Sequence, residues 1–364
     1  MSFTAGDARY MARALQLAER GLYTTDPNPR VGCVVVREDR IVGEGFHARA
    51  GAAHAEINAL TQAGSHVHGA TVYVTLEPCC HHGRTPPCTD VLIKAGVRRV
   101  IAAMRDPNPQ VAGKGVAALE SHGIRVDVGL MQDQAAALNP GFIERMRSGR
   151  PFVRIKLAAS LDGRTALASG ESQWITGEGS RRDVQKWRAR SSAILTGVST
   201  VLADDPRMTV RDLDIGRQPL RVVLDSHLRL SPTAQMLRQP GQTLVIAVAD
   251  ENRKSAALRA AGAEIAFIAS NTASIDLKAL MGHLAAREVN EVLVEAGSTL
   301  CGALLKEKLV DELIFYYAPY LLGSDARGMF QLAPLARMDE RLQLDVIDMC
   351  VIGRDWRVVA RPRH

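Results

Sequence analysis

One histidine, one glutamate and two cysteines have the types and spacing to do chemistry together. His54 and Glu56 lie in AHAEINAL, and Cys79 and Cys88 lie in TLEPCCHHGRTPPC. One imidazole and two thiolates make three of the four tetrahedral ligands zinc prefers, and a catalytic site leaves the fourth position to water. Glu56 follows His54 by two residues. In mid-helix that spacing separates two side chains by about 200°. The pair therefore suits a helix N-terminus, where His54 still belongs to the incoming chain. Glu56 is then placed to take a proton from the water and pass it to a leaving amine. Cys88 opens the helical run CTDVLIKAG, where the helix dipole favours a thiolate.

H-x-E followed by P-C-x-x-C is the signature of zinc-dependent nucleobase deaminases. This chain keeps His54-Ala55-Glu56 and Pro78-Cys79, but position 82 is His82, not cysteine. The second thiolate is Cys88, reached after the insertion HHGRTPP. The bland alternative is a structural histidine among buried cysteines; the order His, Glu, Pro, Cys, Cys weighs against it. Cys80 points away from its neighbour in an extended segment and is not a ligand.

Supporting elements read as follows. Asp7–Arg20 has helical apolar spacing, Val31–Val36 is a short strand, and Glu38-Asp39 turns it into Arg40–Gly45. The AHAEINAL helix follows. Thr71–Leu76 is a buried strand that delivers Glu77, Pro78 and Cys79. Val97–Ala103 and Ile124–Val128 are strands around a helix over Val111–His122, and Leu138–Met146 is a further helix. This alternation predicts a layered α/β domain, residues 1–149, with a boundary near Ser148–Pro151.

The remainder, 150–364, predicts a second α/β domain. Its strands are Phe152–Ala159, Ala193–Leu195, Leu220–Asp225, Leu244–Val248, Ile265–Ile268, Val292–Glu295, Leu313–Ala318, Val346–Val351 and Trp356–Ala360. Two strands break at Gly197 and Gly297 into helix starts, which suit phosphate binding, although most such turns are only structural. No GxGxxG is present.

The chain has 364 residues, 46% apolar and 23% charged, with a net charge of +6. That suffices for two domains with their own cores. No basic run marks a nucleic-acid arm, no apolar stretch approaches a membrane span, and the N-terminus lacks a signal core. Three clustered and three scattered cysteines point to a metal site plus buried thiols in a reducing cytoplasm.

The motifs PNPRVGCVVV, HAEINAL, TLEPC, HHGRTPPC and DPNPQVAGKG resemble the deaminase half of the bifunctional RibD family of riboflavin biosynthesis, the diaminohydroxyphosphoribosylaminopyrimidine deaminases/5-amino-6-(5-phosphoribosylamino)uracil reductases. The stretches IKLAASLDGRTA, GESQWIT, TVLADDPRMTVR, VEAGSTLCGALL and LLGSDARG are similar to its reductase half. The family has Ser where this chain has Cys80, which leaves the ligands untouched. The resemblance implies a cytidine-deaminase-like α/β/α domain followed by a dihydrofolate-reductase-like α/β domain, with Zn2+ and NADPH as cofactors. It implies that Asn28, His47, His81, Arg84 and Thr85 hold the deaminase substrate. For the reductase it implies Ala158, Trp174, Thr200, Asp204, Ser226 and Gly297 at the cofactor, and Ser172, Arg188, Arg211 and Glu295 at the substrate. It implies Lys156 between the two ligands, and hydride delivery to the ribosyl carbon leads to the expectation that Lys156, with Glu295 or Asp204, handles the proton. A homo-oligomer, dimer or tetramer, is also implied.

Two rivals remain at this stage. A nucleic-acid deaminase would show the compact P-C-x-x-C and stacking aromatics; the insertion and an aromatic content of 4% argue against it. A zinc-stabilised, non-catalytic protein would need a fourth protein ligand.

Overall fold

The computed structural model describes residues 3–80, 86–250, 253–270 and 274–363. The chain divides into two compact units, Met1–Arg150 and Pro151–His364. No helix among the described residues is long and apolar enough to cross a membrane.

The first unit comprises α1 (Ala5–Glu19), β1 (Gly32–Arg37), β2 (Arg40–Phe46), α2 (Ala55–Ala63), β3 (Thr71–Val74), α3 (Cys88–Lys94), β4 (Arg99–Ala102), α4 (Lys114–Ser121), β5 (Arg125–Val128), α5 (Gln132–Leu138) and α6 (Pro140–Ser148). The sheet order is β2-β1-β3-β4-β5. β1 runs antiparallel to β2 and β3, while β3, β4 and β5 are parallel. Alternation along β1 sends Val34 and Val36 to a core shared with α1, α5 and α6, and Cys33 and Val35 to one shared with α2, α3 and α4. The result is three layers, α/β/α.

Two local devices fix this frame. Thr4 and Asp7 cap α1 reciprocally, at 2.9 and 3.0 Å. The other oxygen of Asp7 accepts from Tyr73 on β3 and Arg99 on β4, so the same carboxylate ties helix to sheet. On β2, a Cβ at Gly43 or Gly45 would lie 2.1 or 2.3 Å from the carbonyl oxygen of Ala59 or Ala55. Only glycine lets α2 rest its backbone directly on the strand, which sets the position of the helix end bearing His54 and Glu56.

The structure departs from the sequence expectation in two places here. The helix expected over Val111–His122 begins only at Lys114, because Gly113 adopts φ +81° and the residues before it form a turn. The helix expected over Leu138–Met146 begins at Pro140 and runs to Ser148 as α6, and a separate helix that the sequence did not suggest, α5, precedes it and ends at Leu138.

The second unit comprises β6 (Phe152–Ser160), β7 (Arg164–Ala166), α7 (Glu178–Arg190), β8 (Ala193–Gly197), α8 (Val198–Asp204), β9 (Leu220–Leu224), β10 (Thr243–Ala247), α9 (Ser255–Ala260), β11 (Ala263–Phe267), α10 (Leu277–Ala286), β12 (Glu291–Val294), α11 (Ser298–Lys306), β13 (Glu312–Ala318), β14 (Arg327–Gly328), β15 (Leu344–Ile352) and β16 (Asp355–Pro362). Nine strands form one sheet in the order β11-β10-β9-β8-β12-β6-β13-β16-β15, and β7 pairs with β14. From β11 to β13 all neighbours are parallel; β16 and β15 add an antiparallel hairpin. Helices α10 and α11 cover one face, and α7, α8 and α9 the other. The sequence reading did not distinguish α9, α10 or the β7–β14 ribbon.

Beneath α7, Arg154 is 2% exposed and pairs with Glu291 and Glu312, and Arg190 also reaches Glu291. Trp187 lies 5.6 Å over the Arg154 guanidinium. These charges are far costlier to bury singly than together. The cluster therefore locks the N-terminal ends of β6, β12 and β13 in register.

Candidate active sites

His54 is the N-cap of α2, with extended dihedrals (φ −68°, ψ 162°), and Glu56 lies one residue into the first turn. The N-terminus of α3 brings in Cys88, and the segment after β3 brings in Cys79. Ligand atoms of His54, Cys79 and Cys88 all lie within 4.8 Å of one another. Nδ1 of His54 is 3.2 Å from Sγ of Cys88 and 3.6 Å from Sγ of Cys79. Atoms bound to one tetrahedral zinc are spaced by about 3.5 Å, so donor types and spacing both fit that ion. Hydrogen bonding between the two thiols separates them: the Cys79 thiol is held down at about 4, aided by His54, and Cys88 is pushed up. Cys80 is outside the cluster.

Glu56 is 4% exposed. Burial first, and the neighbouring Cys79 second, raise its carboxyl above the ordinary value, as suits a group that accepts a proton and returns it. Beside His54, His47 is buried with Nδ1 3.1 Å from the Ala53 carbonyl and Nε2 3.0 Å from Nδ2 of Asn28. A carbonyl only accepts, so Nδ1 carries the proton and Nε2 accepts from the Asn28 amide. Both ring nitrogens are thereby engaged within the protein, and the Asn28 carbonyl oxygen is the end left for another partner. Burial lowers the His47 pKa, in keeping with a neutral ring. Residues His81, Arg84 and Thr85 lie outside the described residues.

Glu77, which the sequence reading treats only as a residue delivered ahead of Cys79, is 3% exposed and accepts three backbone N–H bonds. Its signal was visible as an acid two positions before a ligand.

In the second unit Glu295 and Gly297 follow the C-terminal end of β12, and Ser226 follows that of β9, the end at which ligands bind open parallel sheets. Lys156 on β6 and Glu295 just after β12 lie on the face covered by α7. Arg188 of α7 grips Glu295 with both arms, at 2.6 and 2.9 Å, and donates to the Thr209 carbonyl. Lys156 Nζ is 3.8 Å from Glu295. Burial alone would raise the Glu295 carboxyl, but Arg188 and Lys156 overcome it and hold it at about 2. Burial lowers the Lys156 ammonium below its ordinary value; Glu295 opposes that and Arg188 reinforces it.

Around this core, Arg211 adds to the field on Glu295, and its N–H is held by Gln185. Thr200 and Asp204 lie on α8, with Gln173 reaching Asp204. Ser226 follows β9, Gly297 caps α11, and half-buried Ala158 follows Lys156 on β6. Ser172 is half-buried, and Trp174 is exposed with Arg181 4.8 Å over its ring.

Comparison with known proteins accounts for both units. Residues 5–104 match the model of the cytidine and deoxycytidylate deaminase zinc-binding region, and residues 151–358 match that of the RibD C-terminal domain. The chain is 51% identical to the riboflavin biosynthesis protein RibD of Escherichia coli, covering 96% of this chain and 97% of that one. It is 49% identical to the Haemophilus influenzae protein of the same name, covering 100% and 99%. Among solved structures, RibD of Acinetobacter baumannii (form 1) superposes with a TM-score of 0.92 at 47% identity, covering 99% of each chain. The Thermotoga maritima diaminohydroxyphosphoribosylaminopyrimidine deaminase/5-amino-6-(5-phosphoribosylamino)uracil reductase gives 0.87 at 34% identity, covering 98% of this chain and 99% of that one. With a zinc-binding deaminase region and a reductase region matched in sequence order over nearly its full length, the chain belongs to the RibD family of bifunctional riboflavin-biosynthesis enzymes.

Proposed function

We propose that residues 1–149 deaminate 2,5-diamino-6-(5-phosphoribosylamino)pyrimidin-4-one. We propose that residues 150–364 then reduce the ribosyl side chain to give 5-amino-6-(5-phosphoribitylamino)uracil. The observation that carries this reading is the convergence of His54, Cys79 and Cys88 beside a buried Glu56, in a chain whose other unit buries Lys156 against Glu295 and Arg188.

His54, Cys79 and Cys88 hold zinc, which when bound makes water acidic enough to act as a nucleophile near neutral pH. Glu56 accepts the proton as the oxygen adds to the ring carbon that bears the amino group. It then delivers a proton to that nitrogen, the C–N bond breaks, and ammonia leaves. The Asn28 carbonyl, fixed by its bond to His47, accepts from a substrate N–H. The insertion bearing His81, Arg84 and Thr85 receives the ribosyl phosphate.

NADPH supplies a hydride to the second reaction. Ala158, Trp174, Thr200, Asp204, Ser226 and Gly297 line its site, and Ser172, Arg188, Arg211 and Glu295 hold the substrate. Lys156 protonates the ring oxygen as the C1–O bond of the ribose opens and the exocyclic nitrogen forms a double bond to C1. Hydride then adds to C1, leaving a ribitylamine; one hydride and one proton are consumed in all.

A second copy of this chain is the proposed partner, in a dimer or tetramer. β15 ends the nine-stranded sheet and exposes Val346, Ile347, Met349 and Val351, each more than half accessible. An open apolar edge of this kind is normally covered. Free thiols, two of them (Cys33 and Cys301) fully buried and outside the group of metal ligands, support a cytoplasmic setting.

Three measurements test these assignments. Product masses after incubation with the diamino substrate should show no deamination in the presence of a zinc chelator. Without NADPH the reaction should stop at the deaminated ribosyl compound; if neither condition blocks its step, the assignment fails. Lys156→Ala should lower reductase turnover by about 10²–10⁴-fold and leave deamination intact. In the wild type, the proton-donating ammonium is lost as pH rises through its lowered pKa, so reductase turnover should fall on the alkaline side before the ordinary lysine value of 10.5 is reached. Normal NADPH oxidation by Lys156→Ala would remove Lys156 from the mechanism. Sedimentation should show an oligomer that Met349→Asp with Val351→Asp dissociates; a wild-type monomer at micromolar concentration would contradict the proposed interface.

A further inference from the structure

The sharpest unassigned feature is the buried carboxylate of Glu77, two residues before the ligand Cys79. It has no cationic partner within salt-bridge range among the described residues. Its partners are backbone donors: Oε2 accepts from Asp106 N at 3.1 Å and Gly113 N at 3.0 Å, and Oε1 accepts from Val116 N at 3.1 Å. Two of these belong to the start of α4, whose own N-cap is Gly113 and offers no side chain. Glu77, in the segment after β3, therefore caps α4 from outside the helix. Glu77 N also donates to the Met104 carbonyl at 3.0 Å, which extends the β3–β4 pairing up to the metal segment.

The first turn of α4 is pressed onto the next residue as well. A Cβ at Gly115 would lie 2.2 Å from the Pro78 carbonyl oxygen and 3.1 Å from Oε1 of Glu77. Cys79 is pinned from its other side, where Thr89 N donates to its carbonyl and Cys88 N approaches its Sγ. The lever between Glu77 and Cys79 is one proline, whose φ is fixed. A tilt at Glu77 is thus passed to Cys79 with little to absorb it.

We propose that Glu77, with Gly115 admitting the α4 turn, is a positioning residue for Cys79 and sets the affinity of the site for its metal. This rests on the zinc-site assignment above. Groups that orient metal ligands typically change affinity by about 10–100-fold when altered. Glu77→Gln keeps the shape but replaces one acceptor by a donor, so at least one of the three N–H groups then faces an NH2.

The test is zinc competition against a chromophoric chelator for wild type, Glu77→Gln and Gly115→Ala, beside the melting temperature of each metal-free protein. The expected result is a zinc affinity lowered by about 10–100-fold in Glu77→Gln. Deamination should be restored by raising free zinc, and NADPH oxidation on the deaminated substrate should be unchanged. Gly115→Ala should shift zinc affinity in the same direction, and it carries the test if Glu77→Gln does not fold. Zinc affinity equal to wild type in a folded variant, with only the melting temperature lowered, would overturn the proposal. A wild type that takes up no zinc would instead overturn the site assignment itself.

Discussion

Burying several acidic groups side by side is the constraint on which the first unit depends. Cys79, Cys88 and Glu56 share one small, largely solvent-shielded region. Without compensation such groups hold on to their protons. Compensation comes from His54, from the N-termini of α2 and α3 and, in the working enzyme, from zinc. Each of these has to arrive from a different part of the chain. The glycines of β2 that let α2 lie on the sheet, and the Asp7 bonds that tie α1 to β3 and β4, serve that convergence.

The second unit meets the same difficulty with fixed cations in place of a metal. On the face of the sheet under α7, Arg154 and Lys156 alternate along β6, and Glu291 and Glu295 stand at the two ends of β12. The deeper cluster around Arg154 is closed, with every charge paired. The one at the strand ends is held open: Arg188 satisfies Glu295 through two hydrogen bonds, while Lys156 sits 3.8 Å off, with its charge destabilised by burial. The same residue types thus lock the sheet at one end and leave a buried, less tightly paired ammonium at the other.

Much of the metal site was legible in the sequence because its logic is local. H-x-E demands a helix start, and His54 caps one. Pro78-Cys79 follows a run of apolar residues, and β3, buried and parallel to β4, ends at Val74 shortly before it. The second site was legible only through resemblance, because Lys156, Arg188 and Glu295 are far apart in the chain and are joined by sheet pairing alone. The partnership of Glu77 with α4 was missed for the same reason: its donors are main-chain groups, which carry no sequence signature. The region holding α9 and α10 offered no distinctive motif, and the late start of α4 depended on one left-handed glycine. The exposure of β15 could not be read from a pattern that looks like any other strand.

Two successive reactions placed in two self-contained units imply that each can be disabled without harming the other. Mixing Glu56→Gln chains with Lys156→Ala chains, then supplying the diamino substrate and NADPH, tests this most directly. The expected result is no reduced product from either variant alone and recovery of the ribityl product from the mixture, as intermediate made by one chain is used by the other. Full conversion by either variant alone, or no product from the mixture, would contradict the division of labour.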